Sequence, residues 1–143
     1  MTSIEQLRHS TAHVLAAAVV RLFPNTRLDI GPPISNGFYY DFDSAHRFST
    51  EDFAAIEKEM LSIIVEDQPF TRREVSRAEA SEFFQKIGQE FKVSRLNDIP
   101  ETEAISLYTN GDFTDLCAGT HLARTGEIAA FKLTSVSGSY HRG

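Results

Sequence analysis

The chain opens on its longest stretch of helical periodicity. Over residues 4–24, Leu7, Thr11, Val14, Leu15, Ala18 and Leu22 share one sector at about 100° per residue, while His9, His13, Ala16 and Val20 fall on the opposite side. A helix apolar on nearly every side belongs in the middle of a domain. Ser3 with Gln6 reads as a capping box at its start, and Pro24 as its stop. Two further helices follow from the same pattern. Ser49 or Thr50 opens one with the stripe Phe53, Ile56, Met60, Ile63 and Ile64, ending near Asp67. The box Ser76 and Glu79 opens another that buries Phe83, Phe84 and Ile87 and stops at Gly88.

Alternation with period two marks the strands. Phe38, Tyr40 and Phe42 alternate with Tyr39, Asp41 and Asp43, so residues 38–43 read as a half-buried strand with one aromatic face inward. Shorter extended segments are expected at 27–30, 70–75, 91–96 (carrying Lys92) and 129–136, with Gly31-Pro32-Pro33 as a stiff break. Residues 105–109 and 112–116 flank Asn110-Gly111, a hairpin signal, and the second arm runs through Asp115 into Cys117. Helices mixed with hairpin strands predict an α+β fold, a largely antiparallel sheet packed with helices around the long N-terminal helix. No repeat or linker interrupts 1–143, so a single domain is expected.

Composition narrows this only a little. At 143 residues and 41% hydrophobic content the chain can bury one core, and no run is long and apolar enough to span a bilayer. No signal-peptide pattern is seen, which reads as cytoplasmic, with no membrane partner. A net charge of −6 argues against a broad phosphate-binding face, though not against gripping one nucleotide end.

The chemistry concentrates in two pairs. His9 and His13 stand four apart on one helix face, and Cys117 and His121 stand four apart in a loop after a strand. Two imidazoles, a thiol and a third imidazole make a reasonable zinc set; equally, such groups position water and move protons, and a single cysteine can be a small buried hydrophobe. His46 and His141 read as surface residues ahead of and within an aromatic and basic tail, respectively.

Four segments carry a resemblance. These are Arg8-His9-Ser10-Thr11-Ala12-His13; Ile30-Gly31-Pro32-Pro33-Ile34-Ser35-Asn36-Gly37-Phe38-Tyr39-Tyr40-Asp41; Asp115-Leu116-Cys117-Ala118-Gly119-Thr120-His121; and Ala130-Phe131-Lys132-Leu133. Together they resemble the N-terminal editing domain of bacterial threonyl-tRNA synthetases, which is related to the editing domain of alanyl-tRNA synthetases. The resemblance implies proofreading hydrolysis of seryl-tRNA(Thr), an aminoacyl-tRNA deacylase that cannot itself aminoacylate, and a fragment of a larger synthetase. Its partners would be the 3′ acceptor end of tRNA(Thr) carrying serine and the remaining synthetase domains. It also implies a site built from His9, His13, Tyr40, Lys92, Asp115, Cys117 and His121, with the aromatic face around Phe38 as a wall against threonine. Thr120 stands where the threonyl family usually has proline, which leans toward the alanyl type. The expectation is a site without cofactor. The alternatives are a zinc-dependent alanyl-type trans-editing deacylase, with zinc on His9, His13, Cys117 and His121, and a non-catalytic module that binds the tRNA acceptor end.

Overall fold

The computed structural model describes residues 3–138; the tail positions Tyr140, His141 and Arg142 lie outside them. Helix α1, Ser3–Leu22, runs through the centre, and all ten residues from Ser10 to Val19 are buried. Burial on every side is what its two apolar sectors require. Ser3 is already inside the helix, and Gln6 donates its amide to Thr120 Oγ1 at 3.0 Å. The expected capping box is therefore replaced by a tie to a distant loop.

Four two-residue strands follow: β1 Arg27–Leu28, β2 Pro33–Ile34, β3 Gly37–Phe38 and β4 Phe42–Asp43. They form two antiparallel ladders, β1 with β4 and β2 with β3. The strand expected over 38–43 is thus broken at 39–41, yet its alternation survives, with Phe38, Tyr40 and Phe42 packed on the core and Tyr39 exposed. A capping box between Ser49 and Asp52 opens a 3-10 turn, Thr50–Asp52, which leads into α2, Phe53–Val65. Ile56, Met60 and Ile63 of α2 meet Val14, Ala17, Ala18 and Val19 of α1 in the main core, together with Ile128.

A three-stranded antiparallel sheet carries the rest: β5 Thr71–Val75, β6 Ile105–Asn110 and β7 Phe113–Leu116, with β6 in the middle. Ser76 caps α3, Arg77–Lys86, by accepting the Glu79 N–H at 3.1 Å. Phe84 and Ala80 are buried, but Ile87 lies past the last helical residue and is 48% exposed. The hairpin turn sits one residue later than expected. Asn110 pairs with Phe113, so Gly111-Asp112 forms the two-residue loop, with Gly111 at φ +58°.

Two expected strands are absent. Residues 91–96 belong to α4, Glu90–Leu96, where Glu90 and Arg95 suit the helix dipole and the inward pair is Lys92 and Leu96, four residues apart. Residues 129–136 are not a strand either. Phe131 and Leu133 alternate onto the core, but the Leu133 N–H goes to Glu57 Oε2 at 2.9 Å and no strand pairs with the segment among the described residues.

Helix α4 is clamped to β1 by buried polar groups. Gln89 Oε1 accepts the Leu28 N–H at 2.7 Å, and its Nε2 donates to the Thr26 carbonyl at 3.2 Å. Arg95 grips the Asp29 carboxylate with two bonds of 2.7 and 2.8 Å. This fixes the helix face that carries Lys92.

Candidate active site

Helix α1, the end of β7 and α4 converge on a cleft of about 350 Å³. Its walls include His9, His13, Tyr40, Lys92, Asp115 and Cys117, with Ile30, Gly31 and Ala118 at the side. His121 sits just behind, its ring stacked 4.4 Å from that of His9 and edge-on 5.0 Å from that of His13. Both sequence pairs therefore meet in one place. Phe38 does not reach it. That ring packs on the main core and faces a separate groove bounded by residues 132–138. Tyr40 is the aromatic that lines the cleft. His46 is on the surface, stacked 4.3 Å from Phe23 and bonded to Asp52.

One half of the site is a closed ionic cluster. Lys92 Nζ stands 2.7 Å from Asp115 Oδ1 and 2.8 Å from the Tyr40 hydroxyl, and it also donates to the Asp29 carbonyl. An ammonium has three protons, and these are its three acceptors. Tyr40 passes its own proton to Asp115 Oδ2 at 2.6 Å, and the Leu116 N–H bonds Asp115 Oδ1 at 2.8 Å. The Lys92 and Asp115 side chains are only 4% and 6% exposed. Burial pushes the Asp115 carboxyl up, but the Lys92 charge and the hydrogen bonds from Lys92 and Tyr40 outweigh it, leaving it below the usual carboxylate range. Burial, then Asp115, raises the Tyr40 phenol well above its ordinary value. Gly31 makes room for that ring: a Cβ there would lie 2.3 Å from Tyr40 Cδ2.

The other half is neutral. Cys117 Sγ is 2.9 Å from His9 Nε2 and 3.3 Å from His121 Nε2. Burial pushes the thiol up to about 12 and brings His121 down to about 2 and His13 to about 4; it lowers His9 as well. A thiol so raised is a poor nucleophile. His13 is 3% exposed and wedged edge-on against Phe113 and Phe70; among the described residues its Nε2 has no hydrogen-bond partner within ordinary limits, and a longer approach of the Asn110 side chain favours its charged form. As a metal centre the donor set fits in part. His9, Cys117 and His121 bring their ligand atoms within 4.8 Å of one another, a three-ligand set of the open kind, while His13 stands apart from it. A zinc ion held there would supply Lewis-acid polarisation or an acidified water.

Sequence reading gave no task to Ser10, Asp29, Gln89 or Arg95. Ser10 and Asp29 carried a signal, each being a polar residue inside an apolar segment and each buried to 3% exposure or less.

An α+β domain with a His, Cys, Lys and Asp cleft between its central helix and a hairpin matches a described class. Residues 105–141 fit the family "Threonyl and Alanyl tRNA synthetase second additional domain". Over 97% of its length the chain is 53% identical to a threonine–tRNA ligase of Syntrophomonas wolfei, and over 98% it is 55% identical to one of Lawsonia intracellularis. A threonine–tRNA ligase of Geobacillus kaustophilus is 49% identical over 99% of the chain. The chain spans only about a fifth of those proteins, 22% in each case. It carries the second additional domain signature and is similar over nearly its whole length to threonyl-tRNA synthetases. Among the described residues no helix is long and apolar enough to cross a membrane.

Proposed function

We propose that this chain is a proofreading deacylase domain that hydrolyses seryl-tRNA(Thr) and spares threonyl-tRNA(Thr). A threonine-charging site can reject serine only through one missing methyl, worth about 1–3 kcal/mol or roughly 10- to 200-fold, so a second, smaller site adds what the first lacks. The single observation that supports the reading most is the buried Lys92–Tyr40–Asp115 cluster facing His9 and His13 across one cleft.

The chemistry is attack of water on the ester carbonyl at the acceptor end. Asp115 lines the cleft and is held as a carboxylate by Lys92 and Tyr40, so it is the group to hold the attacking water or the seryl ammonium. Lys92 has no spare proton, so it acts by fixing Asp115 and Tyr40 and through its charge, which favours the developing oxyanion. The Tyr40 ring and Gly31 form the rigid wall against an extra methyl, taking the place expected of Phe38. His9 and His13 line the cleft where the terminal adenosine of the ester would dock.

The test is release of serine and of threonine from the two esters of tRNA(Thr) by the chain, with and without a chelator. Fast loss of serine alone, unaffected by chelation, is expected. Equal rates on both esters would refute the sieve. Binding without hydrolysis would favour the acceptor-end module, and chelator-sensitive hydrolysis the zinc-dependent type.

A further inference from the structure

The proposed chemistry leaves a buried hydroxyl without a role. Ser10 lies in α1 between the two histidines at 0% exposure. Its Oγ accepts the Leu122 N–H at 2.9 Å and stands 2.9 Å from His121 Nδ1. A hydroxyl has one proton to give, and among the described residues His121 Nδ1 is the acceptor within reach. At the other end of the cluster, His9 Nδ1 faces the Thr120 carbonyl at 3.3 Å. A carbonyl only accepts, so that nitrogen carries the proton and His9 Nε2 is bare.

Between these backbone ends the remaining protons have one consistent arrangement. His121 takes the Ser10 proton at Nδ1 and offers its Nε2–H to Cys117 Sγ, and the S–H points to His9 Nε2. Every donor from Leu122 N–H to Thr120 C=O then meets an acceptor. The opposite tautomer of His121 places N–H against Ser10 Oγ and strands the serine proton in the interior. It also sets a second bare nitrogen against a thiol with one proton. Stranding a buried donor shifts such an equilibrium by on the order of tenfold or more.

We propose that Ser10 is a positioning residue that holds His121 as its Nε2–H tautomer, so that the chain Ser10–His121–Cys117–His9 is polarised in one direction. Cys117 is then presented as a hydrogen-bonded thiol, and His9 keeps its Nδ1–H on a backbone carbonyl. A metal bound through His121 Nε2 needs the other tautomer, so the same serine weighs against metal uptake at His121. The catalytic meaning of this rests on the deacylase reading; the tautomer itself does not.

Long-range ¹⁵N–¹H correlation of the imidazoles in the labelled chain at pH 7.5 reads which ring nitrogen carries each proton. His121 is expected with a bare Nδ1 and protonated Nε2, and His9 with the reverse. In Ser10→Ala the Nδ1 resonance of His121 should lose its hydrogen-bond shift and the Nδ1–H share should rise severalfold, whereas Ser10→Thr, which keeps the hydroxyl, should resemble wild type. An Nδ1–H His121 in the wild-type chain overturns the proposal. So does a folded Ser10→Ala whose His121 resonances are unchanged. If Ser10→Ala does not fold, the wild-type and Ser10→Thr spectra decide by the same criterion. Since no ester is turned over, failure here and failure of the deacylase reading are separate results.

Discussion

Replacing Lys92 by methionine removes the cation of a pair whose two side chains are 4% and 6% exposed. Asp115 is left with the Tyr40 hydroxyl and the Leu116 N–H, and with no opposite charge. Breaking one side of a buried pair costs about 3–5 kcal/mol, a large share of the roughly 5–15 kcal/mol that holds a domain together. The deficit must also depend on pH. In the wild type the carboxyl sits below its usual range, so its contribution is present above pH 4 and lost as pH falls through the folded value. Without Lys92, burial dominates and the carboxyl moves above its usual range. The folded variant then takes up a proton more readily than its unfolded chain, and the destabilisation shrinks as pH falls. Urea unfolding followed by circular dichroism at pH 7 and pH 4.5 gives both numbers; because the Lys92 charge also lowers His13, the comparison is made with His13→Gln in both proteins. A second change, Asp115→Leu in the Lys92→Met background, should recover much of the loss, because it removes the stranded charge. A single-variant loss under about 1 kcal/mol at pH 7, or equal deficits at the two pH values, would refute the assignment of a tightly coupled pair.

Two other outcomes follow. Gly31→Ala places a Cβ 2.3 Å from Tyr40 Cδ2 and 2.7 Å from the Tyr39 carbonyl, so the ring must leave its bonds with Lys92 and Asp115; a loss of about 1–3 kcal/mol in thermal melts is expected, and an unchanged melting curve would show the ring free to move. Burial holds His13 at about 4 against an ordinary 6.5, so below pH 6.5 the unfolded chain takes protons that the folded chain refuses. Stability therefore falls as pH drops from 6.5 toward 4, by roughly 3 kcal/mol from His13 alone, and His13→Gln should flatten that slope in a pH series of urea titrations.

What could be read from the chain was what local chemistry decides. The extent of α1, the Ser49 and Ser76 caps and the aromatic alternation at 38–42 each follow from the residues themselves, and the structure has them. The two misread strands share one cause, that a strand is defined by its partner. Residues 91–96 contain Phe91 and Val93, which look extended, but docking of Lys92 and Leu96 onto one side selects the helix. Residues 129–136 keep a strand's alternation and lack only a neighbour to pair with. At the site, spacing alone left open whether the two pairs share a place, and it was the resemblance that implied the histidines meet Cys117 and His121. The Asp29–Arg95 and Gln89 ties, which aim α4, join positions more than 60 residues apart, and no periodicity records such contacts.

Gln89 also settles what the small ladder can do beyond this chain. A primary amide is one peptide group cut loose from a backbone, with a donor and an acceptor at the same spacing. Bonded to the Leu28 N–H and the Thr26 carbonyl, it occupies the outward positions of β1 as a third strand would, and it does so from a helix that cannot be extended into a sheet. Two backbone groups on the edge opposite β4 are thereby paired, which leaves a strand from another molecule less to add to there. A two-residue strand with an open edge toward its neighbours in a crowded solution meets a side chain there instead.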